Sequence, residues 1–161
     1  MPRTQKPQQH PLELKIPPPV VALFVAGIMW GISRLTPLPE LPAILRHAVA
    51  GTLAATGIGL GVAGMLIFRF AKTTIHPQKP EKTSALVSTG VYRISRNPMY
   101  LGLLLLLCAW AVWRSAPWGF LGPVAFALYI YRFQIVPEER VLSAKFGTDY
   151  EQYTVRVRRW V

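Results

Sequence analysis

A chain of 161 residues has room for one domain, and with 52% of them hydrophobic and a mean hydropathy of +0.31 it is too apolar for an ordinary soluble one. The formal net charge of +11 raises nucleic acid as a partner, but the 18 Lys and Arg flank apolar segments instead of covering a soluble face, which argues for a membrane protein and against nucleic acid. The single cysteine, Cys108, lies in a leucine-rich run, so it allows no internal disulfide and no metal site is expected.

Residues 1–19 are polar and proline-rich, carry Arg3, Lys6 and Lys15, and read as a mobile tail. The remainder, 20–161, reads as a single membrane domain. No small-residue cleavage site clearly follows the first apolar run at 20–35, so that run is expected to be a retained anchor and first span, slightly short of the roughly 20 residues a crossing needs. Three prolines and Glu40 make 36–42 a loop. A second apolar run, about 44–70, contains Gly51, Gly57, Gly59, Gly61 and Gly64, and the spacing of Gly57 with Gly61 suits close helix packing in lipid. His47, near its end, reads as an interfacial hydrogen bonder before a ligand. Residues 69–96 are polar and basic, broken by Pro77 and Pro80. The third span is expected over 98–113, a turn at Ser115-Ala116-Pro117, and a fourth span over 118–136 with Arg132 in its last turn. The fold class is therefore an all-α membrane bundle of about four transmembrane helices, followed by short interfacial helices.

Basic residues test the topology, because short cytoplasmic loops hold the excess of Lys and Arg. The tail, the 69–96 loop and the segment from Arg132 onward hold three, six and six of them, while the other side has only Arg34, Arg46 and Arg114. Both termini are expected in the cytoplasm, with the cytoplasmic membrane as the location.

Helix punctuation marks the cytoplasmic rim. Asn97 can cap a helix with its side-chain oxygen, and Pro98 suits the first helical position, where no N–H partner is needed. Pro137-Glu138-Glu139 reads as a new helix start with acids in its first turn, and Gly147 as its end. Thr148 and Glu151 have capping-box spacing, with Tyr150, Tyr153, Val157 and Trp160 as an apolar stripe and Arg156, Arg158 and Arg159 set to meet anionic head groups.

The chain has no phosphate loop, dinucleotide fingerprint, His/Cys metal spacing or nucleophile elbow. What it has is a convergence at one rim: Leu86 and Val87 with Tyr92, the helix start from Asn97 to Tyr100, and the acids Glu138 and Glu139. Apolar and aromatic residues can sandwich a flat base, and a carboxylate can bind ribose hydroxyls or an ammonium group. A cofactor with an adenine, a ribose and an amino acid suits such a rim. The same residues could instead only cap helices and complement their dipoles, with Arg132 snorkelling to the interface.

The ordered runs Leu86-Val87-Ser88-Thr89-Gly90-Val91-Tyr92, Arg96-Asn97-Pro98-Met99-Tyr100-Leu101-Gly102, Pro137-Glu138-Glu139 and Phe146-Gly147-Thr148-Asp149-Tyr150-Glu151-Gln152-Tyr153 resemble the isoprenylcysteine carboxyl methyltransferase family and its phospholipid methyltransferase relatives. The resemblance covers about the C-terminal half, 84–161. It implies a multi-pass membrane enzyme that binds S-adenosylmethionine and methylates a lipophilic acceptor entering from the bilayer, an isoprenylcysteine-type carboxylate or similar. Carried over by position, it puts the cofactor against Ser84, Ala85, Leu86, Val87, Tyr92, Asn97, Pro98, Met99, Tyr100 and Glu138. Two positions depart from the pattern: Asn97 stands where the family often has histidine, and Gln134 where eukaryotic members have an arginine, with Arg132 close by. Asparagine can still cap and donate but cannot act as an acid or base near neutral pH. For chemistry at the acceptor, Arg132 could position a carboxylate, or Glu139 could act as base toward an amine. The alternatives are a steroid-reductase-like membrane enzyme using NADPH, and a non-enzymatic membrane scaffold.

Overall fold

The computed structural model describes residues 11–35, 42–70 and 86–161; all but the last residue of the loop expected over 36–42 and most of the basic 69–96 segment, with Ser84 and Ala85, lie outside the described residues, as do the first ten. All the described secondary structure is helical. Helix α1 spans Pro18–Leu35, α2 Ala43–Phe70 and α3 Pro98–Trp113; then α4 (Leu121–Ile130), a π-helical segment (Tyr131–Ile135) and α5 (Val136–Phe146) run end to end, and α6 spans Thr148–Arg156. Short 3-10 turns at Gly90–Arg93 and Pro117–Phe120 precede α3 and α4.

Three helical stretches are long and apolar enough to cross a membrane: α1, α2 and the continuous run Pro117–Phe146. Helix α3 is equally apolar but has 16 residues, about 24 Å at the α-helical rise, against a hydrocarbon core of roughly 30 Å. Its partner is the longer α2, with which it makes the most extensive contact in the bundle. That contact rests on glycine. A Cβ on Gly57 would lie 2.7 Å from the Gly102 carbonyl oxygen, and one on Gly102 would lie 2.6 Å from the Gly57 carbonyl oxygen, so the two backbones touch. Gly64, two turns on, receives Met99, Pro98 and the Tyr92 hydroxyl in the same way. Gly61 contributes only its backbone nitrogen to the seam.

The rest of α2 faces outward with Ile58, Val62, Met65 and Leu66, as α1 does with Leu23, Phe24 and Ile28. Thr52 and Thr56 return their hydroxyls to the carbonyls of Ala48 and Thr52, and His47 hydrogen-bonds the Ala43 carbonyl. These bonds let polar side chains sit on an apolar helix. On the other side of α3 the core joins α1 to the α4–α5 run through Met29, Leu107, Ala111, Phe126, Ile130 and Ile135.

Two expectations are corrected here. The first is a helix break at Pro137. The helix instead continues through the π-helical turn, so Glu138 and Glu139 fall in the first turn of α5, as expected, but no free helix N-terminus opens there. Proline at 137 has no N–H to give the carbonyl four residues back, that of Phe133, and the Leu14 N–H supplies the bond instead at 3.0 Å. The second is the tail. Residues 11–17 make specific contacts: Gln134 Nε2 donates to the Ile16 carbonyl at 2.8 Å, and the Glu13 carboxylate, 5% exposed, meets Arg132 at 3.1 Å and Arg140 at 3.4 Å. Leu14 takes φ of 58°, a left-handed conformation costing a non-glycine residue about 1–2 kcal/mol, which these bonds sustain.

Candidate functional site

The site is assembled from three segments far apart in sequence. The first is the turn that leads into α3. Gly90 has φ of +58°, open to glycine at little cost, and a Cβ there would strike Ile67 at 2.5 Å. The turn sets Tyr92 inward at 4% exposed, edge-on to Phe68, with its carbonyl accepting the Tyr153 hydroxyl at 2.7 Å. The Tyr92 hydroxyl itself is buried without a hydrogen-bond partner. Burial first, then the nearby Tyr153 and Glu138, push its pKa up, so it remains a donor at any physiological pH.

The second segment is α5. Glu138 accepts a hydrogen bond from the Tyr100 hydroxyl at 2.5 Å, which ties α5 to the first turn of α3. Tyr100 is 6% exposed. One residue on, the Glu139 carboxylate is held by two guanidiniums: Arg159 through Nε and Nη2 at 2.9 and 2.8 Å, and Arg96 through Nη1 at 3.1 Å. This fork is the strong, bidentate kind of charge-assisted contact. It raises the Arg159 pKa, chiefly through the hydrogen bonds to Glu139. Neighbouring acids thus have different surroundings: Glu138 faces a tyrosine hydroxyl and Glu139 faces two cations.

The third segment follows α6. Gly147, at φ of 51°, turns the chain from α5 into α6, and Tyr150, Tyr153 and Val157 pack against Leu86, Leu142 and Phe146. Burial, then the Glu139 charge, push the Tyr150 hydroxyl up to about 12. Residues 158 and 159 then run beside the turn before α3. The Arg96 N–H donates to the Arg158 carbonyl at 3.0 Å, while Ser95 Oγ and Asn97 Nδ2 donate to the Arg159 carbonyl at 3.2 and 3.0 Å.

Several residue roles differ from expectation. Asn97 occupies the N-cap position of α3, but its side chain makes no capping bond and fastens the 158–159 segment instead. Asn97→Ala is therefore expected to cost about 1 kcal/mol of stability through one lost hydrogen bond, leaving the start of α3 in place; chemical unfolding in detergent and amide exchange at Tyr100 check both halves. Thr148 makes no capping bond either, the N-cap of α6 being Gly147. Arg159, expected at the head groups, is committed to Glu139 and lies over the Tyr131 ring, 5.3 Å from its centroid. Ser95, 1% exposed, carried no local signal at all.

Of the expected site residues, Tyr92, Tyr100 and Glu138 come together, with Leu86 in the adjoining aromatic cluster. Pro98 and Met99 pack on Gly64, Val87 is half-buried in the segment before the turn, and Ser84 and Ala85 lie outside the described residues. Glu139 holds the site's arginines. Arg132 does not join the group; its exposed guanidinium pairs with Glu13 and stacks on Phe133.

An all-helical membrane bundle with a tyrosine–carboxylate pair and an unpartnered tyrosine hydroxyl buried at one rim defines a class of integral membrane protein with a polar site at the bundle's end. Within that class, the model of the phospholipid methyltransferase family matches residues 45–149, and the chain belongs to that family. Its match with a protein-S-isoprenylcysteine O-methyltransferase of Schizosaccharomyces pombe is 34% identical over 83 residues, 49% of this chain and 34% of that one. A probable protein-S-isoprenylcysteine O-methyltransferase of Oryza sativa subsp. indica is 38% identical over 80 residues, 48% of this chain and 40% of that one. An uncharacterized protein of Haemophilus influenzae is 48% identical over 63 residues, 39% of this chain and its own whole length. The matched part of the chain thus spans two-fifths or less of these two isoprenylcysteine methyltransferases. No solved structure matches.

Proposed function

We propose that the chain is an S-adenosylmethionine-dependent methyltransferase of the membrane, acting on a lipophilic acceptor of the isoprenylcysteine-carboxylate or phospholipid type that enters from the bilayer. The observation that carries this reading is the Tyr100–Glu138 pair beside the buried, unpartnered Tyr92 hydroxyl, at the start of α3. The donor set fits the cofactor. Backbone N–H groups in the first turn of α3 suit its carboxylate, Glu138 suits an ammonium or ribose hydroxyls, and Tyr92 offers a donor that has no other use.

When bound, S-adenosylmethionine supplies a methyl group on a sulfonium, already activated for transfer to a nucleophile. The protein's task is alignment and exclusion of water. Glu138 and Tyr100 orient; the aromatic cluster of α6 covers. Glu139, held between Arg96 and Arg159, is assigned a positioning role, since its oxygens are engaged in fastening α5 to the 158–159 segment. Arg132 is assigned to the contact with Glu13. The excess of basic residues at this end supports a cytoplasmic site in our reading.

The test is titration calorimetry of detergent-purified protein with S-adenosylhomocysteine, with NADPH as the comparison, followed by transfer of labelled methyl groups into a total lipid extract. Binding of S-adenosylhomocysteine alone and label in the lipid phase are expected. Folded protein that binds only NADPH, or neither ligand, overturns the proposal.

A further inference from the structure

At the other end of the bundle lies a cavity of about 460 Å³, between the start of α2, the end of α3 and the turn before α4. This is within the roughly 300–1,000 Å³ of ordinary small-molecule sites. Leu45, Val49, Ala111, Ala116 and Phe120 make its wall apolar, and no charged side chain is among the described residues that line it. Arg114, adjacent in sequence, turns to α1 instead, its Nε donating to Ser33 Oγ at 3.0 Å. Leu45, Val49 and Phe120 are exposed, so the cavity opens on the apolar outer surface of the bundle.

Among the described residues of the wall, Ser115 alone has a polar side chain. It is 9% exposed, and its Oγ is buried without a hydrogen-bond partner, a state that costs a hydroxyl its hydration with no return. The turn does not require that hydroxyl. Ser115 closes the end of α3 at φ of 49°, donating its N–H to the Val112 carbonyl at 2.9 Å while Ala116 donates to the Ala111 carbonyl at 3.2 Å, and glycine would hold this conformation with less strain. An acceptor seated in the cavity would supply the missing bond. Trp113 and Trp118 flank Ser115 in sequence and are exposed, as is Trp30 at the same end of α1, the pattern of the aromatic belt at a membrane–water interface. The ester carbonyls of a glycerolipid lie at that level, between head group and acyl chains.

We propose that this cavity is a binding site for an ester-linked glycerolipid of the leaflet opposite the Tyr100–Glu138 pair, with one acyl chain in the apolar pocket and its ester carbonyl accepting from Ser115 Oγ, and that the site is indifferent to the charge of the head group. The apolar wall admits the chain, the unpartnered hydroxyl selects the ester, and a wall without charged side chains leaves the head group unread. The site is independent of the methyl-transfer reading, because it lies at the other end of α3 and shares no residue with that rim.

Native mass spectrometry of the full chain, released from nanodiscs holding equal dioleoylphosphatidylcholine and its dioleyl ether analogue, reads the bound lipid. The two share head group and chain length and differ in the carbonyls. The wild type is expected to retain the ester lipid about tenfold over the ether, the effect of one hydrogen bond. The same preference is expected when both lipids carry phosphoglycerol head groups. Ser115→Gly, which eases the backbone while deleting the hydroxyl, is expected to bring the ratio to about one. Val49→Trp, at an exposed position of the wall, fills the pocket and is expected to abolish retention of either lipid. Melting temperatures close to that of the wild type report folding of both variants, so the outcome does not rest on methyl transfer. Equal retention of ester and ether by the wild type, a preference that survives in folded Ser115→Gly, retention that follows head-group charge, or a lipid still bound to folded Val49→Trp overturns the proposal. So does a dimer that Val49→Trp converts to monomer, since a second copy would then be the occupant.

Discussion

Glu138→Gln is expected to weaken S-adenosylhomocysteine binding by roughly ten- to a hundredfold, the range for a hydrogen bond to a charged group worth about 1.5–3 kcal/mol. The substitution keeps the shape of the side chain and still offers an oxygen to accept from the Tyr100 hydroxyl, so a loss of affinity reports the carboxyl group itself and not collapse of the α3–α5 contact. Tyr100→Phe removes the donor that orients the Glu138 carboxyl group and is expected to cost less, up to about tenfold, because Glu138 itself stays to meet the ligand and one hydrogen bond worth about 1 kcal/mol is lost. Glu139→Gln separates the two acids. It loosens the Arg96 and Arg159 fork and is expected to lower thermal stability, while altering affinity only through the disturbed 158–159 segment. Calorimetry on all three, with melting temperatures for each, distinguishes these outcomes. If folded Glu138→Gln binds like the wild type, Glu138 has no cofactor role.

A pair of glycine replacements should show effects of opposite sign. Gly102→Ala places a methyl 2.6 Å from the Gly57 carbonyl oxygen, a backbone atom that cannot swing aside, so α2 and α3 must separate. A loss of about 1–3 kcal/mol or more is expected, with a lower melting temperature in detergent. Gly61→Ala, on the facing helix α2, has nothing within 4 Å of the added carbon. It is expected to be neutral or to stabilise by up to about 1 kcal/mol through helix propensity. Because Gly64 of the same seam receives Tyr92 and Met99, parting the helices at Gly102 is also expected to weaken ligand binding. Equal effects of the two variants on stability would show that the seam is not where these backbones support the bundle.

How far the fold was legible follows from which signals are local. The expected second and third spans, about 44–70 and 98–113, agree with α2 and α3 because a run of apolar residues and a proline at the first helical position are both properties of contiguous sequence. Glycine spacing identified the right helix but not the whole face: Gly57 and Gly64 meet α3, seven residues apart, whereas Gly61 offers only backbone. Pro137 misled because proline removes a hydrogen-bond donor wherever it stands, and sequence does not say whether a remote N–H will replace it. Here Leu14 does. The pairing of Glu139 with Arg159 was invisible for a related reason. Twenty residues and the left-handed turn at Gly147 separate them, and no helical or strand period connects the two. Tyr92, Tyr100 and Glu138 were expected at one rim from the topology, and the ordered motifs added the cofactor, but no local chemistry demanded the bond between Tyr100 and Glu138.

The bond from Leu14 to the Phe133 carbonyl and the one from Arg96 to the Arg158 carbonyl have a shared thermodynamic consequence. Each makes a peripheral segment a structural member of the rim, so the segment cannot fray without loosening α5 or the entry to α3. Opening at either place should then belong to one cooperative unit with the site, and a ligand that binds the closed form should slow amide exchange at Leu14 and Arg96 together, though the two are 82 positions apart in the chain.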